Sequence, residues 1–213
     1  MFPTPDGPRA HTVITSPLGP LTLVATGAGL VGVYWDTPKH RPPAEALGEA
    51  VVLPGDGSPE TDGRDLHREG AGPATGILRT AQAQLHEYFT GGRTSFALPL
   101  DPPDPLGTSD PPGSAGAPPP DGPPSPSWRS RVRSALLDVP YGTTTTYGRI
   151  AEQLGAPRAA RAVGTACGRN PLCVVVPCHR VVGANGALTG YVGGLDRKKH
   201  LLDLERRIRE PGA

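Results

Sequence analysis

Apolar and small residues alternate with polar ones through HTVITSPLGPLTLVATGAGLVGVYW, residues 11–35, and two turn signatures, SPLGP and TGAG, divide the stretch. Side chains two apart share one face of a strand, so the pattern predicts two or three strands folded as an antiparallel meander. From Thr37 to Gly76 the chain turns rich in proline, glycine and charge, and an irregular excursion is expected, with one short helix-like patch at AEALGEAV, residues 44–51. The period then changes. In ILRTAQAQLHEYFTGG, residues 77–92, Ile77, Ala81, Leu85, Tyr88 and Phe89 fall on one helical face and two glycines mark the stop.

Residues 101–126 hold 11 prolines and 4 glycines with almost nothing to bury, which predicts a semi-extended spacer between one domain over 1–100 and another over 127–213. Beyond it, SWRSRVRSALLDVP places Trp128, Val132, Ala135 and Leu136 at helical spacing and stops before Pro140. Thr146 is placed to cap a short helix carrying Ile150, Ala151 and Leu154 and ending at Gly155. PRAARAVGTACG, residues 157–168, predicts a second short helix with proline in its first turn, from which Arg158 and Arg161 project. Two short helices across a tight turn make a helix-turn-helix candidate, although such pairs also occur in proteins that never meet DNA.

Composition narrows the class. The 28 prolines and 29 glycines exceed a quarter of the 213 residues, so the packed core is smaller than the length suggests. No apolar run approaches the roughly 20 residues of a membrane helix, and MFPTPDGPRAHT lacks the features of a secretory signal, so a cytoplasmic, membrane-free protein is expected. Cys167, Cys173 and Cys178 lie in one short stretch, an odd number that argues against a disulfide framework. The net charge of +1 conceals an asymmetry: residues 127–213 carry 14 Lys and Arg against 6 Asp and Glu, while residues 1–126 carry 7 against 14. A basic half either balances the acidic half of the same molecule or attracts a polyanion, of which nucleic acid is the commonest. Together with the helix pair, and with small residues at Ala159, Ala160, Ala162, Gly164 and Ala166 that allow close approach, the charge points to a DNA-docking helix.

Candidate chemistry sits in VVVPCHRVV, residues 174–182, an apolar run with the look of a buried strand that Pro177 interrupts at Cys178. A free thiol has a pKa of about 8.5 and needs a base or a positive charge to become a nucleophile near neutrality. His179 is the adjacent base, but neighbours on a strand face opposite ways, so a kink or a bridging water would have to connect them. His179 would in turn need a carboxylate, and Glu205 in the closing helix RKKHLLDLERR is the candidate. The opposing reading makes Cys178 a small buried hydrophobe and His179 a core histidine; for Cys167 and Cys173, which lack acid-base neighbours, it is preferred.

The run NPLCVVVPCHRVVGANGALTGYVGGLDRKKHLLDLE, residues 170–205, resembles the active-site block of the O6-alkylguanine-DNA alkyltransferases, bacterial type, and TYGRIAEQLGAPRAARAVG, residues 146–164, continues the resemblance, more weakly joined by SPLGPLTL near the start. That resemblance implies an α+β chain, with a ribonuclease-H-like α/β domain followed by a winged-helix (helix-turn-helix) DNA-binding domain. It implies direct-reversal DNA repair: irreversible, single-turnover transfer of the alkyl group of O6-alkylguanine, and of O4-alkylthymine, to Cys178. His179 would be the base and Glu205 its carboxylate. Asn170 would brace the active-site turn, and Tyr147 would donate to guanine N3. Arg161 would fill the gap left by the flipped nucleotide. Tyr191, Gly193 and Gly194 would wall the base pocket, with the main chain of Cys178, Val181 and Val192 meeting the guanine edge. Ala160, Gly164 and Arg158 would approach DNA with the second helix. The implied partner is double-stranded DNA bound through the minor groove by a monomer, with no cofactor and no metal; no cysteine precedes Cys167 to hold a structural zinc. Small residues at Gly190, Val192 and Gly193 suggest room for more than methyl. A non-reactive lesion sensor of related sequence would have replaced the cysteine, and a cysteine hydrolase would require an oxyanion-hole motif that is not apparent.

Overall fold

The computed structural model describes residues 8–37, 42–54, 72–101 and 126–209. The chain divides into two compact units, one over residues 2–103 and one over 104–213. Among the described residues no helix is long and apolar enough to cross a membrane.

In the first unit the meander forms as the alternation predicts. Strands β1 (Ala10–Ile14), β2 (Leu21–Ala25) and β3 (Leu30–Trp35) pair antiparallel, with Thr12 opposite Leu23 and Leu23 opposite Val33. All five residues of β2 are buried, as a central strand covered on both faces requires. Helix α1 (Pro73–Thr90) packs on this sheet, starting with proline after Gly72 and ending at Gly91 in the left-handed region, φ 85°. Its buried side chains are Thr75, Leu78, Ala81, Gln84, Leu85 and Tyr88, while Ile77 and Phe89 are only half-buried, so the inner stripe is rotated slightly from the expected one. Gln84 closes the stripe by bonding both the N–H and the C=O of Ala97.

The expected excursion is corrected in two places. AEALGEAV is not a helix: Ala44–Ala46 make one 3-10 turn and Glu49–Ala50 form strand β4, parallel to β1 and completing the order β3-β2-β1-β4. Gly48 decides this. Its φ is +82° and a Cβ there would stand 2.2 Å from the Arg9 carbonyl oxygen, so only glycine lets Glu49 N–H reach that oxygen, at 2.9 Å. Leu47 then drops into a cluster with Val24 and Val31. The excursion's other end, Pro73–Gly76, is already the first turn of α1. Residues 55–71 of the excursion and 102–125 of the expected spacer lie outside the described residues.

In the second unit α2 (Pro126–Leu137) buries Trp128, Val132, Ala135 and Leu136 as expected. Helix α3 (Tyr147–Gln153) is capped by Thr146, whose hydroxyl accepts from Arg149 N–H at 3.2 Å, and α4 (Ala160–Gly168) packs against α2 and α3. The second helix starts three residues later than expected: Pro157 and Arg158 lie in the preceding turn, so of the two arginines only Arg161 stands on α4. Strands β5 (Thr145–Thr146) and β6 (Val181–Val182) pair parallel, tying the start of α3 to the end of the PCHR segment. Helix α5 (Leu195–Arg209) closes the unit.

Candidate active site

VVVPCHRVV is not a strand. Residues Leu172 to Val182 are all buried, but Leu172 to Val176 run through tight turns and Cys178–Arg180 form a single 3-10 turn before β6. Val174 sits at φ 71°, a region that costs a β-branched residue roughly 1–3 kcal/mol. Asn170 holds the turn in that shape. Its Oδ1 accepts from Leu172 N–H at 3.0 Å, and its Nδ2 donates to the Val176 carbonyl at 3.0 Å and to the Cys178 sulfur at 3.2 Å. One side chain thus braces the loop and touches the nucleophile. Because the 3-10 turn replaces the strand, the opposite-face objection to Cys178 working with His179 no longer applies.

His179 Nε2 lies 2.8 Å from Glu205 Oε1, and both side chains are fully buried. A carboxylate can only accept, so Nε2 carries the proton and Nδ1 holds a bare lone pair. Nδ1 is buried without a hydrogen-bond partner among the described residues. Burial lowers the imidazole pKa more than the Glu205 contacts raise it, so the ring is neutral near pH 7. Burial pushes the Glu205 carboxyl up, but hydrogen bonds and charge from His179 and Arg180 outweigh that and hold it down at about 2.

Arg180 is a partner that residue-level reasoning missed. Its Nε and Nη2 grip both Glu205 oxygens at 2.9 and 3.0 Å, and its Nη1 donates to the Val139 carbonyl at 2.6 Å. Gly142 N–H supplies a further bond to Glu205 Oε2 at 3.0 Å. The pairing spans 25 residues of sequence, and only the arginine's place between histidine and an apolar pair, where a charge cannot stay unpaired, hinted at it.

Lys198 is the second residue missed. It is fully buried, and its ammonium donates to the carbonyls of Val181 at 2.5 Å, Thr189 at 2.7 Å and Gly190 at 3.4 Å. From the other side Tyr147 Oη donates to the same Thr189 and Gly190 carbonyls, at 3.2 and 3.4 Å. The 189–190 peptides are therefore clamped twice. Burial raises the Tyr147 pKa, which keeps the phenol a donor. The Val181 carbonyl, expected to meet guanine, is already engaged by Lys198 and keeps one lone pair.

Cys178 itself is 2% exposed. Burial pushes its thiol pKa up; the Asn170 hydrogen bond and the Lys198 charge pull it part of the way back. The resting sulfur is therefore a thiol that depends on a base for activation. Cys167 and Cys173 are buried as well, with pKa values raised first by burial. Tyr191 is half-buried, its ring 6.3 Å from the His179 ring at 82°. Gly193 accepts from Arg197 through its carbonyl at 3.0 Å, Gly194 turns at φ 89° into α5, and Val192 is half-buried between them. Next to this site a groove of about 590 Å³ is lined by Thr146, Tyr147, Ala160, Arg161 and Gly164, with Arg161 exposed. Cys178 does not line that groove. Arg158 is exposed in the turn before α4. Among the described residues no group of three or more His, Cys, Asp or Glu could hold a metal ion.

Fold and site together define a two-domain protein with a buried cysteine nucleophile and a carboxylate-held neutral histidine, set beside a groove on a short basic-ended helix. Two family models match the chain: "6-O-methylguanine DNA methyltransferase, ribonuclease-like domain" over residues 10–102 and "6-O-methylguanine DNA methyltransferase, DNA binding domain" over residues 127–207. The methylated-DNA–protein-cysteine methyltransferase of Mycobacterium tuberculosis H37Rv is 38% identical over 196 residues, covering 92% of each chain. The crystal structure of the Mycobacterium tuberculosis O6-methylguanine methyltransferase superposes with a TM-score of 0.67 at 36% identity over 96% of each chain. That of Mycobacterium tuberculosis OGT in complex with DNA gives 0.66 at 36% identity, over 93% of this chain and 94% of that one. The chain belongs to the 6-O-methylguanine DNA methyltransferase family.

Proposed function

We propose that the protein repairs DNA by direct reversal, taking the alkyl group of O6-alkylguanine, and of O4-alkylthymine, onto Cys178 once per molecule. The observation that carries this reading is the His179–Glu205 pair at 2.8 Å, which fixes the tautomer so that the unpartnered Nδ1 is a proton acceptor next in sequence to a thiol. The Cys178 S–H proton passes to His179 Nδ1 through a bridging water, and the imidazolium formed is stabilised by Glu205. The sulfur attacks the alkyl carbon, a C–S bond forms, and the C–O6 bond breaks with its electron pair moving to guanine. Guanine regains a proton, so that the net change is a thioether and an unmodified base. Tyr147, released from the 189–190 carbonyls, would donate to guanine N3 as charge grows on the ring. A thioether has no easy return to thiol, hence one turnover.

The lesion lies inside the duplex, so the nucleotide must leave the stack, at a cost of a few kcal/mol. We read the second unit as a winged helix-turn-helix whose α4 lies in the minor groove, where contacts tolerate any sequence. Ala160 and Gly164 would give close approach, Arg158 would reach the backbone, and Arg161 would fill the emptied stack. Tyr191, Val192, Gly193 and Gly194 would wall the base pocket, and the main chain of Cys178 and Val181 would read the guanine edge. Because the sulfur is buried, the 189–194 segment and Tyr147 have to yield as the base enters. We read the first unit as ribonuclease-H-like, residues 101–126 as a tether between domains 1–100 and 127–213, and the working form as a monomer. Incubation with an O6-methylguanine duplex should add about 14 Da to the peptide holding Cys178, in a stoichiometry of one. Folded protein that gains no mass, or that gains it on another residue, would defeat the proposal.

A further inference from the structure

Outside the Cys178 site, the densest grouping of like charge among the described residues is a set of three guanidiniums on the second unit. Arg129 and Arg133 stand one turn apart on α2, where side chains four apart are neighbours. Arg169 forms the C-terminal cap of α4, against which α2 packs. Burial is the larger cause that lowers the Arg129 pKa, and the positive charges of Arg169 and Arg133 add to it, so the three groups feel one another. Burial lowers the Arg133 pKa as well. Arg129 and Arg133 are half-buried, flanking the fully buried Trp128 and Val132. Gathering like charges on partly desolvated ground costs the free protein stability, and an anion docked among them would relieve that cost.

The groove lies close by along the same helix. Helix α4 runs nine residues, Ala160–Gly168, with Arg161 at its start and Arg169 just past its end. At 1.5 Å per residue that is roughly 13 Å, about twice the minor groove's width of about 6 Å. A helix with its Arg161 end over the groove therefore carries its other end across a flanking strand. We propose that Arg129, Arg133 and Arg169 form a clamp for a backbone phosphate of that strand, a contact separate from the base pocket and blind to sequence. Guanidiniums suit it, since each can offer two parallel N–H donors to phosphate oxygens. The clamp would fix the register of α4 on the duplex, as phosphate contacts do.

This inference rests on reading the chain as a DNA alkyltransferase, and the test keeps the two apart. Equilibrium binding of the full chain to duplexes with and without one O6-methylguanine is measured between 50 and 200 mM salt, on a Cys178→Ser background. Replacing Arg129 and Arg169 together by Gln should lower the slope of log affinity against log salt by about 0.9, the loss of one phosphate contact. It should weaken binding to both duplexes by a similar factor, and Arg→Lys at both positions should restore most of the slope. Without DNA the Gln variant should melt no lower than its parent, because like charges have been separated. An unchanged slope overturns the clamp, and so does a fall in melting temperature that tracks the loss of affinity without rescue by lysine. Whether Cys178 gains a methyl group is scored separately on the unsubstituted chain; the slope on undamaged duplex decides the clamp whichever way that result falls.

Discussion

Replacing Glu205 by Gln tests the network on which the site depends. The carboxylate is fully buried and accepts from His179 Nε2, Arg180 Nε, Arg180 Nη2 and Gly142 N–H at 2.8–3.0 Å. Glutamine keeps the shape but removes the charge, leaving the buried Arg180 guanidinium without its counter-ion. The carboxyl pKa of about 2 against an ordinary 4.5 corresponds to roughly 3 kcal/mol at neutral pH, at 1.36 kcal/mol per pKa unit. The cost of breaking a buried ion pair by removing one partner is independently about 3–5 kcal/mol. For a domain of this size that lowers the melting temperature by roughly 12–24 °C, taking about 4–8 °C per kcal/mol. The folded-state pKa is depressed, so the stabilisation is complete above pH 4.5 and is lost as pH falls through the folded value toward about 2. Urea unfolding followed by Trp128 fluorescence, with Trp35 replaced by Phe to silence the first unit, gives the gap between parent and Glu205→Gln at each pH. A gap below about 1 kcal/mol at pH 7 would refute the reasoning, given the expected size of a broken buried pair. So would a gap that stays constant from pH 7 into the region of the depressed pKa.

Three further outcomes follow from the same geometry. The His179 pKa is lowered by burial, so the imidazole stays a base down to below pH 6.5, and a single-turnover rate profile should hold level from neutrality and fall only on the acid side of that value; a rate that halves above pH 6.5 contradicts the assignment. Lys198→Met keeps the stem but leaves the Val181, Thr189 and Gly190 carbonyls without their ammonium donor, at about 1–3 kcal/mol for each that stays buried and unbonded, and amide exchange should rise over residues 189–194; unchanged exchange would mean that Tyr147 alone holds the loop. Iodoacetamide should label Cys178 of the free protein far more slowly than a model thiol peptide, because the sulfur is buried and its pKa raised; labelling at the peptide's rate would show that the sulfur is open.

What could be read in the sequence was what depends on neighbours along the chain. The period of two through residues 11–35 and the helical spacing of Ala81, Leu85 and Tyr88 survive in the fold because a strand face and a helix stripe are buried whatever lies opposite. The Thr146 cap is local in the same sense, one hydroxyl and an N–H three residues on. Cys178, His179 and Glu205 could be nominated because thiol, imidazole and carboxylate answer one chemical need. Contact between residues distant in sequence decided the rest. Strand β4 exists because Gly48 admits the Arg9 carbonyl. The PCHR segment turns instead of extending because Asn170 satisfies its loop and the two-residue β5–β6 ladder takes over only at Val181. Arg180 and Lys198 find their acceptors 41 and 17 residues away, at the Val139 and Val181 carbonyls, and Glu205 lies 25 residues from Arg180. Burying a charge is tolerable only when its partners converge from several elements at once, and that convergence belongs to the folded chain, where no local pattern records it.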